Sequence, residues 1–146
     1  MNRFLIFCAL IVSYSYGQQT VGVFQYTQDA LPGYTLFAPA NVGTTYLIDN
    51  CGNLQFQWES LYTTGHSVEL LENGTLLRAC KYDNGSPISG GGGGGRIEAI
   101  NFNQTIAWSL NYSNDTVRLH HDFEPLANGN VLMIAWELKT QQEAID

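Results

Sequence analysis

Three histidines, His66, His120 and His121, are the side chains of this sequence best suited to chemistry. Neutral imidazole is both a nucleophile and a proton carrier near neutral pH, so two of them on one cavity could accept a transferable group and pass it on. Spacing relates two of the three. Residues 66–77, HSVELLENGTLL, align without gaps on residues 121–132, HDFEPLANGNVL, with six of twelve positions identical at an offset of 55. A gapless internal match of this kind is read before any local motif. Lys81, Arg96 and Arg118 add cations, and planar guanidinium suits a tetrahedral oxyanion. Glu69, Asp122 and Glu124 could suggest a metal, but no spacing repeats a ligand set, and the HxxE residues alternate onto opposite faces of a strand. No metal and no cofactor are expected.

The elements that position these residues must be strands. A looser echo pairs LIDNCGNLQFQW, ending at Trp58, with AINFNQTIAW, ending at Trp108, so each unit reads as a Trp-ended hairpin, a loop and a His-led hairpin. Alternation and turn chemistry place strand A of one unit at 66–71, B at 75–82, C at 96–100 and D at 105–112. The next strand A opens at His121 and its strand B covers 131–137; upstream, 34–37, 45–49 and 54–58 read as strands B, C and D of a first unit. Asn73-Gly74 and Asn128-Gly129 fit two-residue hairpin turns. Ser89–Gly95, with six consecutive glycines, joins strands B and C as a flexible loop; no following Lys-Ser/Thr marks it for nucleotides. A period near 50 with four short strands is the size of a β-propeller blade, so the expected fold is all-β, a partial propeller of about two and a half four-stranded antiparallel blades. Rings need four or more blades, and the expectation is therefore the N-terminal portion of a longer protein, completed by its remaining blades. A small independent β-sandwich of the same strands is the alternative.

Composition bounds the rest. The chain has 146 residues, 45% hydrophobic and 13% charged, which is one globular domain and not a disordered tail. A formal net charge of −7 argues against gripping nucleic acid through a basic face. Arg3, the apolar run Phe4 to Val12 and the small-residue stretch SYSYG read as a secretory signal peptide over 1–17, cleaved before Gln18, with 18–146 the mature chain, secreted or periplasmic. The apolar run is too short to span a bilayer, and no other stretch could.

Three segments carry a family resemblance: GYTLFAPANVGTTYLIDNCGN, the glycine-rich run into GGRIEAIN, and HHDFEPLANGNVLMIAWE. Together they resemble the secreted arylsulfotransferases, six-bladed propellers that move a sulfuryl group between phenols without a nucleotide donor. The resemblance runs from about Gly33 to Glu137, and its most specific piece is the HHD-led strand with its NGN turn. It implies an aryl sulfate and a phenol as small-molecule partners, and transfer at the central channel through a transiently sulfated histidine, with other histidines and an arginine holding the sulfate.

The residues themselves agree in part. Strand A is the innermost strand of a blade, so His66 and His121, opening two of them, should face one cavity and are the catalytic candidates. Alternation turns His120 to the other side of the strand, as an orienting or packing residue. His120, Arg96 and Arg118 are the substrate-binding candidates, the arginines because strand ends place them with Lys81 at the histidine end. A secreted propeller used as a binding or scaffold module, its histidines vestigial, is the other class left open. Cys51 lies in the turn between strands C and D and Cys80 roughly 16 Å up a neighbouring blade, at about 3.3 Å per residue, so two separate thiols are expected.

Overall fold

The structure, a computed structural model, describes residues 23 and 25–145. The leader read at 1–17, with its cleavage site, lies outside the described residues. Among the described residues nine strands and one short helix follow in chain order: β1 Tyr34–Phe37, β2 Thr45–Asp49, β3 Leu54–Trp58, β4 Thr64–Leu70, β5 Leu76–Lys81, β6 Gly95–Ile100, β7 Ile106–Asn111, β8 Val117–Pro125, β9 Val131–Glu137 and α1 Gln141–Ile145. They form three antiparallel sheets, β1-β2-β3, β4-β5-β6-β7 and β8-β9, which we call sheets I, II and III. The all-β class is as the sequence suggests; among the described residues the sheets do not close into a barrel or ring. No described helix is long and apolar enough to cross a membrane.

Sheet II sits between the other two, and its strands β5 and β6 are buried on both faces while its edge strand β7 is exposed throughout. Leu76 and Ile100 on one face pack with Trp58 of sheet I, supported by Leu36, Leu47 and Phe56. On the other face Leu77, Ala79, Ile97 and Ala99 pack against Leu119 and Phe123 of β8, with Val131 and Met133 of β9 alongside. Strand alternation gives each residue one face only, and here both alternating sets of β5 and β6 are buried. The outer rows of sheets I and III stay exposed.

One hairpin loop is used four times. In each, the first residue donates its amide to the fifth residue's carbonyl and the fourth donates back to the first: Asp49–Asn53, Leu71–Thr75, Asn101–Thr105 and Leu126–Asn130. The fourth position has positive φ every time, at Gly52, Gly74, Gln104 and Gly129. This is a three-residue loop with one left-handed residue, whereas the Asn-Gly pairs suggested two-residue turns; Asn73 and Asn128 spend their side chains accepting the amides of Thr75 and Asn130 instead. Gln104 takes the place of glycine, and its amide group reaches Glu59 N and Gln57 O, stitching sheet II to sheet I.

Strands β1, β2, β3 and β9 fall where alternation puts them. Strand β8 starts at Val117, four residues before the expected His121, because Val117, Arg118 and Leu119 already pair with Glu137, Trp136 and Ala135. His121 is therefore inside its strand.

Between sheets I and II lies a buried charge network. Arg78, with no exposed surface, donates to Tyr62 O at 3.0 Å and stands 4.0 Å from Glu98. Glu98 accepts from Arg96 Nε at 2.8 Å, from the Ser60 hydroxyl at 2.6 Å and from the Cys80 thiol at 3.5 Å. One carboxylate thus serves two guanidinium groups, and Arg78 Nε and Nη2 have no hydrogen-bond partner among the described residues. Cys51 is an exposed free thiol and Cys80 a buried one.

Burial pushes the Cys80 thiol up to about 12; Arg78 pulls the other way and Glu98 adds to the rise. Its ordinary value is 9.0, so between about pH 9 and 12 the unfolded chain releases a proton that the folded chain keeps. Stability is full below that window and falls as pH rises through it, with a slope approaching about 1.4 kcal/mol per pH unit from this one group. Urea denaturation at pH 8 through 11 is expected to show a shallower alkaline loss for Cys80→Ala than for the parent.

Candidate functional site

Two matched bulges build the site. In β4, Thr64 pairs with Cys80 and Val68 with Arg78, so Gly65, His66 and Ser67 stand opposite Ala79 alone. In β8, Leu119 pairs with Ala135 and Phe123 with Met133, so His120, His121 and Asp122 stand opposite Ile134 alone. The bulged triplets are 55 residues apart, the offset of the sequence repeat. A bulge re-aims side chains that regular alternation would send to opposite faces. It also bends the strand: His66 has φ 96°, a region costly for a side chain other than glycine.

The bulges bring all three histidines together. The His66 and His121 rings meet edge to face with centroids 6.0 Å apart. His120 lies 4.2 Å from His121, with the two Nδ1 atoms in contact, and 5.1 Å from the Trp136 indole. This corrects the expected orientation of His120. Alternation would turn it away from His121, but with three residues facing one it shares a cavity of about 690 Å³ with His66, His121, Gly91, Gly92 and Trp136.

On the other side of His66 a groove of about 470 Å³ is lined by Ser67, Glu69, Asp122 and Glu124, with Leu36 and Phe37 at its rim. Ser67 donates its hydroxyl to Asp122 at 2.5 Å, tying the two bulges across sheets II and III. Ser67 and Glu69 of β4 are the repeat equivalents of Asp122 and Glu124 of β8. The Asp122 carboxyl is held below the usual range by the Ser67 hydrogen bond first, then by the Phe123 amide and the His121 and His120 charges, against the effect of burial. Burial, and secondarily the Glu124 charge, raise Glu69.

The six-glycine segment crosses from sheet II onto β8 as a seated strap, where the sequence suggested a flexible loop. Arg118 donates to Ile88 O at 2.8 Å, Ser86 to Asn114 O and Asn84 to Ser113 O, pinning the chain just before it. A Cβ on Gly94 would collide with the carbonyl oxygens of Leu119 and His120, and one on Gly92 with the His120 ring. Only bare backbone fits at those two positions, which is the physical reason for glycine at each.

The cationic candidates have other partners. Arg96 is held by Glu98 and by Asn111 Oδ1 at 2.7 Å, and lies over the Tyr62 ring; Lys81 bonds Asn41. Neither Arg96 nor Arg118 lines the histidine cavity. Strand-end topology puts them at the right level of the sheets, but Arg96 faces sheet I and Arg118 grips the strap. Sequence reasoning missed Ser67 and Trp136. The repeat could have found Ser67, as the equivalent of Asp122. Among the described residues no three His, Cys, Asp or Glu side chains are arranged to hold a metal ion.

The strap separates two of its glycines by their surroundings. A methyl group on Gly91 would meet nothing within 4 Å, whereas one on Gly94 would meet backbone carbonyls. Gly94→Ala should cost roughly 1–3 kcal/mol in urea denaturation and Gly91→Ala close to nothing. Comparison with family models, with curated proteins and with solved structures gives no match for this chain.

Proposed function

We propose that this is an aryl-sulfate sulfotransferase-like protein that passes a sulfuryl group from a phenolic sulfate ester to a phenol through a histidine, without a nucleotide or other cofactor. In this reading each sheet is a propeller blade, β4–β7 a whole one, β4 and β8 are innermost strands, and further blades of the same protein complete a six-bladed ring. The protein is exported behind the leader at 1–17 and works outside the cytoplasm. The observation that carries the reading is the pair of repeat-equivalent imidazoles, His66 and His121, facing each other across one cavity.

The chemistry follows from that pair. An unprotonated imidazole nitrogen attacks the sulfur, the sulfur–oxygen bond to the aryl group breaks, and the departing phenolate takes a proton from the neighbouring imidazolium. The acceptor phenol returns a proton to that neighbour as its oxygen attacks the same sulfur; the sulfur–nitrogen bond breaks and the first imidazole is restored. Gly91 and Gly92 line the cavity with backbone that can approach sulfuryl oxygens closely, and protonated imidazole meets their charge. Arg96 and Arg118, candidates from the sequence, support the fold around the site in this reading.

Incubation with p-nitrophenyl sulfate and phenol should release nitrophenolate and form phenyl sulfate. His121→Ala is expected to lower the rate by about a hundredfold or more. Undiminished turnover in that variant removes His121 from the machinery. A wild-type chain that binds phenols but never turns over is the binding module instead, the class favoured by the engagement of both arginines elsewhere.

A further inference from the structure

The two bulged hairpins are equivalent in register but differ in what faces the bulge. The bulge of β4 stands opposite Ala79 and that of β8 opposite Ile134; two residues further on, β5 has Lys81 where β9 has Trp136. Ala79 is buried under β8, whereas Ile134 and Trp136 are 56% and 46% exposed. Water favours neither of those large side chains. An exposed apolar pair at the edge of a cavity is where ligands bind.

We propose that the pocket between Ile134 and Trp136 is a binding site for a single aromatic ring, which packs on the Trp136 indole and turns an oxygen substituent into the histidine cavity. The proposal deepens the sulfuryl-transfer reading and rests on it only for the choice of a phenol as the ring.

The bulge itself opens the pocket. The ladder between β8 and β9 is interrupted from the Leu119–Ala135 pair to the Phe123–Met133 pair, and a space of about 240 Å³ lies there, walled by His120, His121, Ile134, Ala135 and Trp136. An apolar cavity of roughly 150 Å³ already holds benzene, so one substituted ring fits. The histidine cavity of about 690 Å³ shares His120, His121 and Trp136 with this pocket, so one ligand can occupy both. Their other walls differ. Ile134 and Ala135 give the pocket apolar surface, while His66 and the backbone of Gly91 and Gly92 give the cavity polar groups. Neither lining contains a carboxylate, which suits an acidic or anionic oxygen that accepts from imidazole N–H. The indole is also held in place before any ligand arrives. The His120 ring lies 5.1 Å from it, and the strap runs so close that a Cβ on Gly90 would touch its Cε2 and Cζ2 at 3.5 Å. A preset aromatic surface takes a second ring with little ordering cost.

Phenol and cyclohexanol, alike in size and hydroxyl but not in aromaticity, supply the test. Ligand-detected NMR titration of the full chain gives the affinity of each for the parent, Trp136→Phe and Trp136→Leu. Phenol should bind the parent at least about threefold more tightly than cyclohexanol, the size of one aromatic contact. Trp136→Leu keeps an apolar side chain without a π face; it should weaken phenol by about tenfold and abolish the preference, and Trp136→Phe should restore most of both. Trp58 is fully buried and Trp108 nearly as exposed as Trp136, so a Trp108→Phe background assigns any saturable change in indole emission to Trp136. Absence of saturable phenol binding, equal affinity for the two alcohols, or an emission change lost with Trp108 overturns the proposal, as does equal phenol affinity in the parent and Trp136→Leu. Should Trp136→Leu fail to fold, the parent's preference and the emission of Trp136 decide alone. None of these measurements needs an aryl sulfate. Phenol bound at Trp136 without turnover of p-nitrophenyl sulfate would reject sulfuryl transfer and keep the ring site; turnover with the same KM in the parent and Trp136→Leu would keep the transfer and reject the ring site.

Discussion

Two strands buried on both faces must be covered from both sides, and that requirement organises this chain. Strands β5 and β6 send Leu76 and Ile100 one way and Leu77, Ala79, Ile97 and Ala99 the other, all at or near zero exposure. Neither set can be left in water without losing the hydrophobic stabilisation that holds the domain. Sheet I answers with Trp58, sheet III with Leu119 and Phe123. The face toward sheet III is partly alanine, which lets β8 approach closely. Docking β8 there sets its bulge beside the bulge of β4, so the meeting of the histidines is a consequence of core packing.

Local structure then makes the arrangement repeatable. Four hairpins share one three-residue loop, closed by the same pair of backbone hydrogen bonds. A loop that fixes register fixes which side chains reach the core, since a one-residue slip would invert both faces. Register also fixes where a bulge falls. In β4 and β8 it falls at the same distance from the hairpin, and the three extra-faced residues of each include the groups with chemistry. The strap has a matching role: its bare backbone passes between Lys81 and the histidines, where a Cβ at Gly92, Gly93 or Gly94 would collide.

Much of the fold was legible because strand periodicity and turn residues are local signals. Leu54 to Trp58 alternates cleanly, Val131 to Glu137 is a short apolar run bounded by a turn, and the separation of Cys51 from Cys80 followed from topology alone. The repeat also foretold that His66 and His121 would face each other. What alternation could not supply was the bulge, because a strand with three residues opposite one looks, in sequence, like any other strand. His120 was turned the wrong way for that reason. Arg96 and Arg118 show a second limit: strand ends reveal the level of a residue along the sheet, while its partner depends on which sheet packs against its face. The glycine run reads as slack until the crossing strand β8 is in place to press on it.

The same bulges give an acidic chain one space with no carboxylate in its lining. His66 stands between two unlike spaces. On one side Glu69, Asp122 and Glu124 line the groove, and their field opposes any negative ligand. On the other the cavity is walled by imidazole, indole and glycine backbone, with no carboxylate among its lining residues. The field of three carboxylates is therefore concentrated in the groove and absent from the cavity's own lining. The net charge of −7 is a property of the whole chain; over a few ångströms the field differs, and the ring of His66 lies between an acidic groove and a cavity without carboxylates.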